Sequence, residues 1–130
     1  MLDPQASDSG FVLVVDDVAD IRETLREVVE IGGCRVVTAE NGQEALSILR
    51  DRLPCLAIID LRMPVMNGSE LIAAMARDPA LAAVPILVST SAPERAPSGY
   101  PVLPKPVDIE ALWAFLRKTC GCGVDAPGPR

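Results

Sequence analysis

Three aspartates directly follow or end two apolar runs of the chain, and their positions suit the binding of a divalent cation. Asp16 and Asp17 come after the run FVLVV at 11–15, and Asp60 ends the run LAIID at 56–60. Carboxylates that meet at one point repel one another unless they share protons or a cation lies among them. Oxygen ligands with no histidine or thiolate nearby favour Mg²⁺ over zinc or copper. The three aspartates are therefore candidate metal ligands.

Two other side chains extend this chemistry towards phosphoryl transfer. Thr90 lies in the hydroxyl-rich end of the fourth apolar run, and Lys105 stands between two prolines. A carboxylate, a hydroxyl, an ammonium group and a divalent cation are the usual parts of a phosphoryl-transfer site. The carboxylate would act as the nucleophile and form an acyl phosphate. Lys105 and Mg²⁺ would then offset the negative charge on the phosphoryl oxygens.

Apolar runs alternate with helical patterns, and this order predicts the elements that position these residues. Continuous runs rich in β-branched residues are typical of strands buried on both faces of a parallel sheet. Such runs predict strands at 11–15, 35–39, 56–60, 85–89 and 101–103. Segments with helical spacing, capping residues or glycine stops predict helices at about 18–31, 42–51, 69–77 and 108–119.

This alternation predicts an α/β fold in which right-handed crossovers place helices on both faces of a parallel sheet. Five strands predict a flavodoxin-like doubly wound sheet of order 2-1-3-4-5. In that order the direction of winding reverses between strands 1 and 3, and ligands bind at the carboxyl ends of the strands there. Asp16, Asp17 and Asp60 are all expected at that point.

Composition excludes several other functions. The 130 residues suit one domain, with 1–9 disordered, 10–119 folded and 120–130 a flexible tail. The net charge of −6, without a basic cluster, argues against direct nucleic-acid binding. No apolar run approaches the roughly 20 residues that span a bilayer, and the N-terminus lacks the basic start of a secretory signal. We therefore expect a cytoplasmic protein without membrane contact.

The four cysteines divide into two pairs by their surroundings. Cys34 and Cys55 adjoin apolar stretches and are expected to pack as small hydrophobic residues. Cys120 and Cys122 fall in the predicted tail, where they would be loose and open to oxidation. A metal or redox role for this C-x-C pair is the alternative, but it needs partner ligands and the chain has no histidine.

The sequence resembles the receiver domains of bacterial response regulators. The matching segments follow the family's order and are VLVVDD at 12–17, IIDLRMPVMNG at 58–68, PILVSTSA at 85–92 and LPKP at 103–106. The resemblance covers residues 11 to about 119. It implies that a sensor histidine kinase or a histidine phosphotransfer protein donates a phosphoryl group in a Mg²⁺-dependent reaction. The transfer would then switch the binding of a downstream protein that the sequence does not identify.

The resemblance also implies a role for each matching residue at the acidic centre. Asp60 corresponds to the phosphoacceptor. Asp17 would bind Mg²⁺ directly and Asp16 mainly through water, while the backbone carbonyl of Arg62 would be a further ligand. The protein would not be an enzyme in the usual sense, because it would catalyse only its own phosphorylation and dephosphorylation.

Two more matches concern the response to phosphorylation. Thr90 corresponds to the hydroxyl that moves to bond the phosphoryl group. Lys105 corresponds to the family's lysine, and its peptide bond to Pro106 is expected to be cis, an option open to bonds that precede proline.

The chain departs from the family pattern between the fourth and fifth strands. Only 14 residues separate Thr90 from Lys105, and Pro93, Pro97 and Pro101 lie among them. Prolines of this density oppose a helix, so the family's fourth helix is predicted to be shortened or absent. Its loss would expose apolar surface on the sheet, and output would then use another surface, such as the first helix or the exposed region of strands 4 and 5.

Alternative functions remain open from the sequence. One is a pseudo-receiver, a protein-interaction module that is not phosphorylated. Another is an aspartyl-phosphate phosphatase, although that chemistry needs a D-x-D arrangement after the first strand, and Asp16-Asp17-Val18 does not supply it. We expect a stand-alone regulator, monomeric or weakly dimeric, with a fragment of a longer regulator or hybrid kinase as the alternative.

Overall fold

The computed structural model describes residues 11–122, which form a five-stranded parallel sheet with helices on both faces. The strands are β1 (Phe11–Val15), β2 (Arg35–Ala39), β3 (Leu56–Asp60), β4 (Ile86–Thr90) and β5 (Val102–Pro104). The helices are α1 (Ala19–Ile31), α2 (Gly42–Asp51), α3 (Gly68–Arg77) and α4 (Ile109–Cys120). The strand order β2-β1-β3-β4-β5 confirms the predicted flavodoxin-like topology. The predicted segment 1–9 and most of the predicted tail, 123–130, lie outside the described residues.

Three helices begin at polar caps whose side chains bond the first turn. Asn41 accepts a hydrogen bond from the backbone amide of Glu44 at the start of α2. Asn67 and Glu70 bond each other's backbone amides in a capping box at the start of α3. Asp108 caps α4 in the same way. Such caps satisfy amide groups that lack partners within the helix, so they fix where each helix begins.

Alternate residues of the central strands feed two cores on opposite faces of the sheet. Leu13 points into the core beneath α2 and α3, where it meets Leu49 and Leu71. Val14 points into the core beneath α1 and α4, where Leu25 and Leu112 are buried. Because β1 and β3 pair directly, with Val15 opposite Ile59, the residues that follow both strands meet at one edge of the sheet. Within residues 11–122, no helix is long and apolar enough to cross a membrane.

The connection between β4 and β5 contains a short 3₁₀ turn, Pro93–Arg95, in place of a full helix. This confirms the predicted loss of that helix. The expectation that its loss exposes the sheet is wrong for the described residues, because Ile86 and Val88 of β4 are both buried. Ala96 and Tyr100 of the connection pack against the core that contains these side chains. The shortened segment therefore lies on the sheet and takes the place of the missing helix.

The cysteines form two disulfide bonds, Cys34–Cys122 and Cys55–Cys120, so the prediction that Cys120 and Cys122 are loose was wrong. Cys34 and Cys55 pack with the core as predicted, but the sequence did not predict that they are also disulfide-bonded. Cys34 and Cys55 immediately precede β2 and β3, and both strands therefore start near these residues at the amino edge of the sheet. α4 ends at the same edge, with Cys120 as its last residue. Cα–Cα distances of 5.5 and 5.4 Å suit disulfide pairing. The fold brings together residues that are 88 and 65 positions apart in the sequence.

Replacing Val65 by asparagine is expected to stabilise the protein by about 1 kcal/mol. Val65 has a φ of 70° in a three-residue turn, in which the amide of Met66 donates to the carbonyl oxygen of Pro64 at 2.7 Å. Such a turn is strained for a β-branched residue, whereas asparagine tolerates a positive φ. The Val65 side chain is 74% exposed, so its removal costs little packing. Chemical denaturation would measure the gain, and Val65→Ala, which removes the β-branch but lacks the short polar side chain that favours a positive φ, should gain less.

Candidate functional site

The three aspartates meet at the carboxyl edge of the sheet, as the sequence predicted. One carboxylate oxygen from each of Asp16, Asp17 and Asp60 lies within 4.8 Å of the others. Asp16 and Asp60 are 1% and 7% exposed, whereas Asp17 is exposed. Asp17 and Asp60 open onto a cleft of about 730 Å³ that Arg62 and Lys105 also line. The cluster thus combines buried charge with access from solvent.

Both carboxylate oxygens of Asp16 are held by the protein. The backbone amide of Val18 donates to Oδ1 and the Nζ of Lys105 donates to Oδ2, each at 2.9 Å. Asp16 therefore offers less to a bound ion than its neighbours do. Among the three aspartates, Asp17 and Asp60 are therefore the stronger candidates for direct contact with an ion.

Arg22 is a residue of this site that the sequence analysis missed. Its guanidinium donates to the backbone carbonyl oxygen of Asp16 at 2.9 Å, from the end of the first turn of α1. No motif marks this contact, because the acceptor is a backbone atom. The contact fixes the backbone directly after β1, where Asp16 and Asp17 follow the strand.

Lys105 joins the two buried carboxylates. Its Nζ lies 2.9 Å from Oδ2 of Asp16 and 3.2 Å from Oδ1 of Asp60. The Lys105 amide donates to the carbonyl oxygen of Thr90 at 2.9 Å, and the peptide bond to Pro106 is cis, as predicted. Burial by itself would lower the pKa of Lys105, but the hydrogen bond and charge of Asp16, together with Asp60, raise it above its ordinary value. The ammonium group therefore stays charged.

Asp60 has a pKa above the ordinary value of an aspartate. Burial is the main cause, and the negative charge of Asp16 adds to it. Lys105 opposes both effects without cancelling them. Burial and the charge of Asp16 thus disfavour the ionised form of Asp60, and a bound cation would favour that form.

The end of β4 supplies hydroxyl groups beside Asp60. Thr90 is buried, and its Oγ1 accepts a hydrogen bond from the backbone amide of Ala92 at 3.0 Å. Its hydroxyl hydrogen therefore stays available to another acceptor. Ser89, which pairs with Asp60 in the sheet register, is also buried, and its Oγ has no hydrogen-bond partner. Ser91 lines the cleft.

The donor set fits a hard divalent cation. Asp17 and Asp60 supply carboxylate oxygens, and Arg62 lines the same cleft. Mg²⁺ prefers oxygen ligands and usually keeps several waters, for which an open cleft leaves room. The acidic pocket can therefore hold a metal ion.

Comparison with known proteins identifies the family of this chain. Residues 12–117 match the family model for the response regulator receiver domain. A response regulator receiver protein of Anaeromyxobacter sp. (strain Fw109-5) is 43% identical over 105 residues, which are 77% of this chain and 44% of that protein. An uncharacterized 14.6 kDa protein of Leptolyngbya boryana is 36% identical over 116 residues, which are 84% of this chain and 88% of that protein.

Solved structures share the fold. The chemotaxis protein CheY4 of Vibrio cholerae superimposes with a TM-score of 0.75 at 30% identity, over 85% of this chain and 98% of that one. A sensor protein from Polaromonas sp. JS666 gives a TM-score of 0.79 at 26% identity, over 85% and 95% of the two chains. The family match spans all the candidate residues, from Asp16 to Lys105. The chain belongs to the response regulator receiver domain family.

Proposed function

We propose that the protein accepts a phosphoryl group on Asp60 in a Mg²⁺-dependent reaction and thereby switches its binding to a partner protein. The observation that carries this proposal is the position of the Lys105 Nζ, within 3.2 Å of Asp60 and 2.9 Å of Asp16 in a cleft open to solvent. A nucleophilic carboxylate beside a fixed ammonium group suits the stabilisation of a phosphoryl group. Apart from this reaction on itself, no catalytic activity is proposed.

The transfer step uses one oxygen of Asp60. Lys105 bonds Oδ1, so Oδ2 is the nucleophile. Oδ2 forms a bond to phosphorus while the bond from phosphorus to a phosphohistidine nitrogen of the donor breaks. The nitrogen keeps the electron pair, and the donor histidine later regains a proton. Lys105 then pairs with the phosphoryl oxygens, and Thr90 donates its hydroxyl hydrogen to them.

A divalent ion completes this site in the proposal. Asp17 and Asp60 would hold it directly, Asp16 through water, and Arg62 through its backbone carbonyl. When bound, Mg²⁺ supplies positive charge that offsets the charge on the phosphoryl oxygens. The three aspartates and their mutual distances support this assignment, since without a cation their charges repel.

Beryllofluoride with Mg²⁺, a mimic of the bound phosphoryl group, tests this proposal. The two together should raise the midpoint of thermal unfolding by about 5 °C or more, and neither alone should do so. Asp60→Asn should abolish the shift, whereas Asp51→Asn, an exposed aspartate at the end of α2, should keep it. A wild-type protein that shows no shift would instead favour the alternative, a pseudo-receiver that acts without phosphorylation.

The phosphoryl donor is proposed to be a sensor histidine kinase or a histidine phosphotransfer protein, acting in the cytoplasm. A largely apolar groove of about 390 Å³ runs between α1 and the loop that follows β5. Ile21, Lys105 and Pro106 line both this groove and the acidic cleft, so the two are continuous. A protein seated in the groove would bring its phosphohistidine to Asp60.

Replacing Ile109 by aspartate is expected to slow phosphotransfer from a histidine kinase about tenfold or more. Ile109 lines the groove and is 42% exposed, so the change should disturb docking and leave the fold intact. Phosphorylation by acetyl phosphate, which needs no docking, should be unchanged. Ile31→Asp is the matched control, since Ile31 is 68% exposed at the end of α1 and does not line the groove. Equal transfer rates for the two variants would place docking elsewhere.

A further inference from the structure

The two disulfides lie at the amino edge of the sheet, opposite the acidic cleft. Cys34 and Cys55 precede β2 and β3, while Cys120 ends α4 and Cys122 lies two residues beyond. Each bond therefore joins the end of α4 to the start of a strand. This arrangement uses all four cysteines, and no cysteine is left free.

The four disulfide-bonded cysteines differ in their exposure to solvent. Cys34 is 4% exposed, whereas Cys55, Cys120 and Cys122 are only partly buried. Thiol–disulfide exchange depends on access of the incoming thiolate to one of the two cysteines. Each bond contains at least one partly exposed cysteine, so attack can begin at Cys122 in one bond and at Cys55 or Cys120 in the other. The buried Cys34 is then released as the leaving group when Cys122 is attacked.

A hydrogen-bond acceptor lies beside Cys55 and could bind its thiol when the disulfide is reduced. The Sγ of Cys55 lies 3.3 Å from the backbone carbonyl oxygen of Phe11, which already accepts the amide of Cys55 at 2.9 Å. A carbonyl oxygen has two lone pairs, so a Cys55 thiol could donate its hydrogen there. Reduction would therefore leave this half-buried thiol with a partner.

Most of α4 is anchored without the disulfides. Leu112 and Leu116 are fully buried, and the Nε1 of Trp113 donates to the carbonyl oxygen of Val28 at 3.0 Å. The last turn, which ends at Cys120, has no buried apolar residue after Leu116. The disulfides thus act on the end of α4, and their loss should free that end while the rest stays docked.

We propose that the four cysteines form a reversible thiol–disulfide site whose co-reactant is a low-molecular-weight thiol or a dithiol oxidoreductase. Reduction breaks each protein S–S bond by two thiol–disulfide exchanges. The co-reactant's two thiols become one disulfide, and two protein cysteines take up the two protons and two electrons. Oxidation fixes the last turn of α4 to the amino edge of the sheet, and reduction releases it.

A regulatory role for this thiol–disulfide site rests on the proposed function, which places the protein in the cytoplasm. Disulfides in that compartment are usually transient and respond to redox state. The site itself rests only on the cysteine geometry. The redox state of the cysteines would then be a second signal to the domain that is phosphorylated on Asp60. The two signals would act at opposite edges of the sheet.

Redox titration of the purified chain tests the site. Native protein equilibrated with reduced or oxidised glutathione would be alkylated and weighed intact, and we expect four alkylated thiols in the first case and none in the second. The reduced protein should unfold about 10 °C lower. Amide hydrogen exchange should quicken in residues 117–122 and be unchanged at Asp60. The double variant Cys120→Ser/Cys122→Ser should resemble the reduced protein in its unfolding temperature and hydrogen exchange in both buffers.

Three results would overturn the site: thiols that stay unpaired in oxidised glutathione, disulfides that resist reduced glutathione, or tight stoichiometric zinc binding by the reduced chain. The last would show a metal site in place of a redox site. The beryllofluoride response, measured on both redox forms, keeps the two proposals separate. Its absence from both forms would count against phosphorylation and leave the alkylation result standing.

Discussion

Lys105→Met is expected to slow phosphorylation by acetyl phosphate at least about 100-fold and to destabilise the metal-free protein by about 3 kcal/mol. The Nζ of Lys105 is the only cation that contacts the carboxylates of both Asp16 and Asp60 among the described residues. Its removal takes away the donor proposed to pair with the phosphoryl group. It also leaves two buried carboxylates close together without a compensating charge.

Two measurements separate these effects of Lys105. The phosphorylation rate would be followed by intact mass at saturating Mg²⁺, and stability by urea unfolding with and without Mg²⁺. Because a cation can replace part of the lost charge, Mg²⁺ should stabilise the variant more than the wild type. Lys118→Met, which changes the chain's other lysine on the exposed face of α4, should match the wild type in both assays. A variant at Lys105 that is phosphorylated at the wild-type rate would remove this residue from the proposed reaction.

Gly68→Ala is expected to destabilise the protein by about 3 kcal/mol and to slow phosphorylation. A Cβ at position 68 would collide with the backbone carbonyl oxygen of Asp60 and would lie 2.8 Å from the Cα of Leu61. Both atoms belong to the backbone that carries the phosphoacceptor, so relief requires that Asp60 move. The amide of Gly68 also donates to the carbonyl oxygen of Leu61 at 3.0 Å, which ties α3 to this segment.

Urea unfolding and the acetyl phosphate assay would measure both effects of Gly68→Ala. In an ordinary helix, alanine is more stable than glycine by about 1 kcal/mol, so a loss of stability would come from the collision. Ser69→Ala, at the next and exposed position of the same helix, should change neither stability nor rate. If Gly68→Ala instead matched or exceeded the wild-type stability, the close approach to Asp60 would not constrain this position.

Most of the fold follows from short-range features of the sequence. The buried runs at 11–15 and 56–60 became β1 and β3 with their predicted bounds. Asn41 and Asp108 cap the helices that were predicted at about 42–51 and 108–119. The strands β4 and β5 are each shifted by one residue from the prediction, because proline and hydroxyl residues at their ends blur the hydrophobic pattern.

Long-range pairing was the part that the sequence did not show. Cys34 and Cys55 sit beside apolar residues, so local pattern favours simple packing, and only the fold shows that α4 ends beside them. The packing of Ala96 and Tyr100 over β4 was likewise missed, since the segment has no periodic pattern to mark a buried face. Both errors concern surfaces that only the tertiary structure creates.

The candidate site also contains residues that the sequence predicted and contacts that it did not. Asp16, Asp17, Asp60, Thr90 and Lys105 were found from residue type and from their places after strands, and the topology brings them to one edge of the sheet. The hydrogen bond from Arg22 to the backbone of Asp16 was not found, because a backbone acceptor leaves no trace in residue type. The same applies to the turn at Val65, where backbone geometry and residue preference disagree.

The most direct test of the central claim is to map the phosphorylated residue. The protein would be treated with acetyl phosphate and Mg²⁺, trapped by borohydride reduction of the acyl phosphate, and sequenced as peptides by mass spectrometry. We predict that the reduced residue is Asp60 and that omission of Mg²⁺ abolishes the modification. Modification of Asp16 or Asp17 in place of Asp60, or of no aspartate in a folded protein with Mg²⁺ present, would contradict the proposed phosphoacceptor.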